Sequence, residues 1–219
     1  MRIQRLVEGV HHFQKEVFRP EEAFFRNLAH GQKPEVLFIT CADSRVNPNL
    51  LTQTAPGELF LLRNLGNVVP AYAMALGAEA AAIEFAVQEL QVKDIIICGH
   101  TYCGAMQALL ADRSQRQMPA LDAWLRHAEP TRAIMRGNYQ HLAGDALWRA
   151  TIKENVLVQL EQLRGHPAVA DALATGRLLL HGWVYHLEDG AVTAYDPESG
   201  QFREVGQTSG TPEQPVAGP

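Results

Sequence analysis

The chain has 219 residues, of which 47% are apolar and 20% charged, and its formal net charge at pH 7 is −5. This is the composition of an ordinary globular protein, and the excess of acidic residues excludes a basic surface built for nucleic acid or an anionic membrane. No apolar run reaches the roughly 18 residues that a membrane-spanning helix needs, and an odd count of three cysteines does not make a disulfide scaffold. The N-terminus is amphipathic and carries no long apolar segment, so we expect a cytoplasmic protein without a signal peptide.

The first 30 residues predict helices. Apolar side chains recur at helical spacing from Leu6 to Leu28, and Pro20 interrupts them. The pattern alone favours a helix that covers the chain's own core over an arm that packs on another subunit.

The middle of the chain alternates predicted strands with predicted helices. Short apolar runs predict strands at 35–40 (EVLFIT), 58–64 (ELFLLRN) and 94–100 (DIIICGH). Good helix formers predict helices over 73–90 and 103–113. Three further helical segments precede two C-terminal strand patterns, GRLLLHGWVYHL and AVTAYDPESG.

This alternation predicts an α/β fold with a mainly parallel central sheet flanked by helices, preceded by the N-terminal helical arm. We expect a single domain over residues 1–203. From about residue 204 the sequence loses its apolar period and is rich in Gly, Pro, Ser and Thr, which predicts a disordered tail over 204–219.

Two of the predicted strands run into side chains that bind metals. The first is followed by Cys41, Asp43 and Arg45, and the third by His100 and Cys103. Ligands of open parallel sheets bind beyond the carboxyl ends of the strands. Thiolate and imidazole suit zinc, so the two cysteines and the histidine supply three of its four tetrahedral positions. Either Asp43 or water completes the fourth.

A catalytic thiol is the main alternative. Cys41 at a strand end near a helix N-terminus would have a lowered pKa, and His100 could serve as its base. A nucleophile leaves Cys103 unexplained, whereas zinc accounts for all three residues. Cys98 lies inside the strand and is predicted to be a small buried apolar side chain.

Three blocks of the sequence, CADSRVNPN, PGELFLLRNLGNVVP and GHTYCGAM, resemble in order and spacing the signature blocks of the beta-class carbonic anhydrases, in their plant and cyanobacterial branch. The similarity extends from about residue 3 to residue 196. It implies a zinc lyase that reversibly hydrates CO₂ to bicarbonate and a proton, through attack by hydroxide on one Zn²⁺ per subunit. A carboxysomal location is compatible with this branch.

The resemblance implies a role for each matching residue. Cys41, His100 and Cys103 match the zinc ligands of the family. Asp43 and Arg45 match its Asp–Arg dyad, which keeps the carboxylate off the metal and orients the hydroxide.

The resemblance further implies that Gln32 binds substrate and that Phe60 and Phe85 line an apolar cleft. Family members are at least dimers whose clefts are lined by both subunits, so we expect a homodimer or a higher oligomer. These three side chains are therefore candidates for the partner subunit's zinc site. Bicarbonate-inhibited members carry a tryptophan where this chain has Phe38, so we expect no such inhibition.

Two other functions are weighed against CO₂ hydration. One is hydrolysis of carbonyl sulfide or carbon disulfide on the same zinc site. The other is a catalytically silent homologue that binds a partner, against which the complete set of metal and dyad residues argues.

Overall fold

The computed structural model describes residues 2–73, 76–112 and 117–206. The strands in these ranges are β1 (Val36–Cys41), β2 (Leu59–Asn64), β3 (Asp94–His100), β4 (Leu179–Tyr185), β5 (Val192–Asp196) and β6 (Gln201–Glu204). The α-helices are α1 (Arg2–His12), α2 (Glu22–Leu28), α3 (Pro48–Thr52), α4 (Ala78–Gln88), α5 (Gly104–Leu110), α6 (Pro119–Leu125), α7 (Glu129–Asn138), α8 (Gly144–Arg164) and α9 (Pro167–Ala174). A π-helical segment, Phe13–Phe18, continues α1.

All six strands form one sheet in the order β2-β1-β3-β4-β5-β6. The four strands from β2 to β4 are parallel, and the last two join antiparallel. The predicted mainly parallel α/β fold is confirmed. The antiparallel edge forms because a tight turn at 197–200 lets β6 return directly beside β5.

Parallel pairing of β1 with β3 determines where the site forms. The register places Thr40 opposite Cys98, so the last residue of β1, Cys41, lies beside the end of β3 at His100. Both strands are almost entirely buried because helices and neighbouring strands cover them. Two separate stretches of sequence therefore deliver their terminal side chains to one edge of the sheet.

Two glycines allow α8 to lie close against the sheet. A Cβ on Gly182 of β4 would lie 2.9 Å from Leu160 and from Val156, and one on Gly99 of β3 would lie 3.0 Å from Val156. Any larger residue at these positions would push the helix away from the strands. Helix α8 also contacts the loop that contains Gly66, through the Asn155 side chain.

The N-terminal helices form an arm that does not cover the chain's own core, contrary to the expectation from the apolar pattern. No residue from 3 to 30 is buried. Phe25 packs its ring against Phe13, Phe18 and Phe24, with ring centroids 5.2–5.5 Å apart, which holds the arm together. The apolar stripe of α1 stays exposed, with Leu6 61% exposed.

Other boundaries differ from the predictions. The helix predicted over 73–90 begins only at Ala78, after Gly77, and residues 74–75 of that stretch lie outside the described ranges. Helix α3 was not predicted, although Pro48 at its first turn and the Asn47 side chain, which accepts from the N–H of Leu50, are recognisable start signals.

Strand β6 was also missed, because its four residues show no apolar alternation. Its last residue, Glu204, lies where the tail was predicted to begin, and residues 207–219 of the predicted tail lie outside the described ranges. Within those ranges, none of the helices is long and apolar enough to cross a bilayer.

Candidate metal centre

Three buried side chains converge at the carboxyl edge of the sheet. Cys41 ends β1, His100 ends β3, and Cys103 directly precedes α5. One ligand atom from each lies within 4.8 Å of the others, and the two Sγ atoms are 3.9 Å apart. Each of these residues is at most 3% exposed. The sequence thus correctly predicted which three side chains would come together.

The donor set fits zinc. Two sulfurs at ordinary Zn–S distances on a tetrahedral ion would be about 3.8 Å apart, close to the separation seen here. The Nδ1 atom of His100 donates to the carbonyl of Thr101 at 2.9 Å, which leaves Nε2 with its lone pair. That Nε2 atom is buried and has no hydrogen-bond partner among the described residues. A buried acceptor directed at two sulfurs is explained by a metal ion.

The pKa values of the two thiols are shifted in opposite directions. Contact with Cys103 lowers the pKa of Cys41 to about 4, with help from the backbone N–H of Gly66, which donates to the Cys41 sulfur at 3.4 Å. The same thiol–thiol contact, together with burial, raises the pKa of Cys103. One thiolate is stabilised within the protein, and a divalent cation is what would allow both sulfurs to carry charge.

Asp43 and Arg45 form a bidentate pair at the edge of the centre. Arg45 donates from Nε to Oδ1 at 2.9 Å and from Nη2 to Oδ2 at 2.7 Å, and its backbone N–H adds a bond to Oδ1 at 3.0 Å. These bonds hold the pKa of the Asp43 carboxyl well below its usual range. Oδ2 lies 3.9 Å from Nε2 of His100, so the carboxylate borders the metal ligands while it is paired with Arg45.

Backbone carbonyls fix the two arginines of this region. Arg45 Nη2 also donates to the carbonyl of Tyr102, which lies between the candidate ligands His100 and Cys103. Arg63 of β2 donates to the carbonyls of Cys41 and Asp43 at 2.8–3.2 Å. Sequence reasoning did not find the Tyr102 carbonyl, since any residue supplies one. In the structure Tyr102 stands out by its backbone conformation, a positive φ of 57°.

The predicted cleft residues lie away from their own chain's metal centre. Phe60 and Phe85 pack with ring centroids 6.0 Å apart, and Phe85 is 44% exposed. Phe60 pairs with Leu37, four residues before Cys41 along β1, which corresponds to about 13 Å. Gln32 is exposed on the loop before β1. The structure brings the two phenylalanines together but does not bring them to Cys41.

Cys98 is a buried core residue, as predicted. It is fully buried in β3, its S–H donates to the carbonyl of Gly99, and burial raises its pKa to about 12. The phenylalanine ring of Phe38 and the indole of Trp183 pack in the same cluster. Cys98 therefore packs in a core cluster separate from the one that contains Cys41 and Cys103.

Comparison with known proteins gives consistent matches over most of the chain. The family model described as carbonic anhydrase matches residues 36–192. A carbonic anhydrase of Synechocystis sp. is 47% identical over 195 residues, covering 89% of this chain and 71% of that protein. A carbonic anhydrase of Pseudomonas aeruginosa is 45% identical over 218 residues, covering 97% and 99% respectively.

Among solved structures, that of the beta-carbonic anhydrase CcaA has a TM-score of 0.91 at 45% identity, covering 93% of this chain and 92% of that one. The family-model match, residues 36–192, contains the three converging ligands and both members of the Asp–Arg pair.

Proposed function

The chain belongs to the beta-class carbonic anhydrases, which are zinc enzymes, and from that premise we propose that it hydrates CO₂ reversibly at the Cys41–His100–Cys103 centre. The observation that carries the proposal is the convergence of three buried ligand atoms within 4.8 Å. Two thiolates and a neutral imidazole would hold Zn²⁺ through three protein ligands and would leave a position for water.

The metal that these residues would hold would supply the nucleophile, because bound Zn²⁺ would lower the pKa of a water to about 7 and so make hydroxide available near neutral pH. The protein's part is to hold the ligands in the right protonation state. The bond from His100 Nδ1 to the Thr101 carbonyl fixes the imidazole tautomer that presents a lone pair at Nε2.

Asp43 is proposed to orient the attacking group. A carboxylate kept ionised by Arg45 is purely an acceptor, and Oδ2 lies on the side of the ligands, 3.9 Å from His100 Nε2. It can accept the O–H of the nucleophile and so direct an oxygen lone pair at CO₂. Loss of the Arg45 pair would free Asp43 to take the fourth ligand position and close the site.

Gln32, Phe60 and Phe85 are proposed to line the cleft at the partner subunit's zinc, with Gln32 binding bicarbonate and the two rings holding CO₂. Their separation from the metal centre of their own chain supports this assignment. The exposed apolar stripe of α1 supports a homodimer or larger assembly, because monomers rarely expose contiguous apolar surface of this kind.

Sedimentation should therefore show a dimer or a larger species for the parent chain. Val10, 54% exposed on the apolar stripe of α1, tests the assembly. Val10→Asp places a charge in the proposed interface and should increase the fraction of smaller species, whereas His12→Asp on the polar side of the same helix should not. A parent chain that sediments as a monomer at assay concentration would contradict the shared cleft.

Substrate comparison tests the function itself. The zinc-loaded protein should hydrate CO₂ in stopped flow with a kcat/KM far above that for hydrolysis of carbonyl sulfide or carbon disulfide. Preference for the sulfur compounds would favour the second candidate reaction. Bound zinc with turnover of neither substrate would favour the silent homologue.

A further inference from the structure

A row of buried polar side chains on α8 faces the loop that borders the metal centre. Asn155 and Gln159 lie one helical turn apart and are 1% and 0% exposed. Burying an amide is costly unless its donors and acceptors are paired, so polar residues in the core of this helix require a reason.

Asn155 is connected to the proposed zinc ligand Cys41 by two hydrogen bonds that share Gly66. The Nδ2 atom of Asn155 donates to the carbonyl of Gly66 at 2.9 Å. The backbone N–H of the same Gly66 donates to the sulfur of Cys41 at 3.4 Å. Asn155 thus holds the residue whose N–H solvates the thiolate.

The amide of Asn155 is itself fixed from two sides. Its Oδ1 accepts from Thr131 Oγ1 at 3.1 Å and from Gln159 Nε2 at 3.0 Å. Gln159 in turn accepts the N–H of Val69 at 2.8 Å. Helix α8 therefore holds the loop at both Gly66 and Val69, and the donor of Asn155 has one orientation.

The loop needs this external support because its backbone is unusual. Gly66 has a φ of 80° and Asn67 a φ of 48°, so two successive residues are left-handed. The conformation is unfavourable for the non-glycine residue, which is buried. A Cβ at Gly66 would meet the Met106 side chain at 2.8 Å, so the close approach to α5 also requires glycine.

We propose that Asn155 is a positioning residue for the metal centre, acting through Gly66 to aim a backbone N–H at the Cys41 thiolate. An N–H···S bond spreads the thiolate charge and orients the sulfur, which tunes how strongly it binds a cation. The proposal rests on the proposed role of Cys41 as a zinc ligand, and it extends that site into the core of α8.

The test compares two variants of these hydrogen-bonded side chains: Asn155→Ala removes all three hydrogen bonds of the Asn155 amide, and Thr131→Val removes one of them. Asn155→Ala removes the link to Gly66, whereas Thr131→Val keeps that link and removes only the hydroxyl bonded to Asn155. Loss of such an outer hydrogen bond typically weakens metal binding about 10- to 100-fold, so we expect this for Asn155→Ala in a chelator competition with zinc. Thr131→Val should stay close to the parent.

Cobalt(II) provides a readout that a purely structural role would not move. The thiolate-to-cobalt charge-transfer band should shift in Asn155→Ala and stay at the parent energy in Thr131→Val, even where both variants lose thermal stability. Parental zinc affinity and an unshifted band in a folded Asn155→Ala would overturn the proposal. Neither readout requires CO₂ hydration, so this proposal can fail while the proposed reaction stands.

A measurement on the unmodified chain covers the case in which Asn155→Ala does not fold. In the cadmium-113-substituted protein, the Gly66 amide proton should show a scalar coupling to the metal through the Cys41 sulfur. A signal for that amide without any coupling would overturn the proposal.

Discussion

Asp43→Asn should lower kcat for CO₂ hydration by about 10²- to 10⁴-fold, the range typical for loss of a positioned proton acceptor, while the protein retains one zinc per chain. Asn replaces one carboxylate oxygen with an NH₂ donor and removes the charge that pairs with Arg45. Both Asp43 oxygens now accept from Arg45, so the variant cannot reproduce this arrangement. Stopped-flow hydration and metal analysis of the same sample measure the two quantities together.

Asp171→Asn, an exposed position on α9, is the matched control and should keep the parental rate. Two outcomes would contradict the role given to Asp43. Parental turnover in Asp43→Asn would show that the carboxylate does not orient the nucleophile. Loss of zinc from that variant would show instead that Asp43 is a metal ligand.

Cys103→Ser should weaken zinc binding by about 10²- to 10³-fold and should abolish measurable hydration at ordinary zinc concentrations. The factor corresponds to one quarter of the binding free energy of four-ligand structural zinc sites, which is roughly 10–16 kcal/mol. A serine hydroxyl stays protonated at neutral pH and is a poor ligand for this ion. Zinc affinity is measured by chelator competition, and hydration by stopped flow.

Cys98→Ser is a closely matched control, because it makes the same substitution in a fully buried cysteine two residues before His100. The serine hydroxyl can still donate to the Gly99 carbonyl, as the thiol does. We expect this variant to keep parental zinc affinity and activity at some cost in stability. Loss of zinc in Cys98→Ser with retention in Cys103→Ser would reverse the assignment of ligands.

The sequence predicted the centre because the ligands follow strong local signals. Apolar runs fix β1 and β3, and in a parallel sheet their carboxyl ends meet on one edge, which brings Cys41 and His100 together. Side-chain chemistry then points to zinc. The pairing of Asp43 with Arg45 was implied by the family resemblance, and in the structure both Asp43 oxygens accept from Arg45.

Backbone contributions to the site were not predictable from residue types. The N–H of Gly66 donates to Cys41 and the carbonyl of Tyr102 accepts from Arg45. Both residues have positive φ values, but every residue carries such backbone groups. The proposed role of Asn155 was not predictable for a related reason. Its position in a helix pattern does not reveal that α8 packs closely on β3 and β4 through glycines.

The N-terminal arm shows a different limit of prediction from the sequence. An amphipathic pattern states that one face of a helix avoids water but does not state what covers it. Here the apolar face of α1 remains exposed, with Ile3 65% and Leu6 61% exposed. The pattern therefore correctly predicted the helix, but the expectation that this helix covers the chain's own core was wrong. The same ambiguity affects Phe85, which is 44% exposed and which the proposed second subunit would cover.

Titration of zinc into the metal-free protein, followed at each step by stopped-flow CO₂ hydration between pH 7 and 9, tests the central claim most directly. The Cys41–His100–Cys103 centre predicts that hydration rises linearly with bound zinc and reaches its plateau at one zinc per chain. Full zinc occupancy without hydration, or hydration that does not depend on zinc, would contradict it.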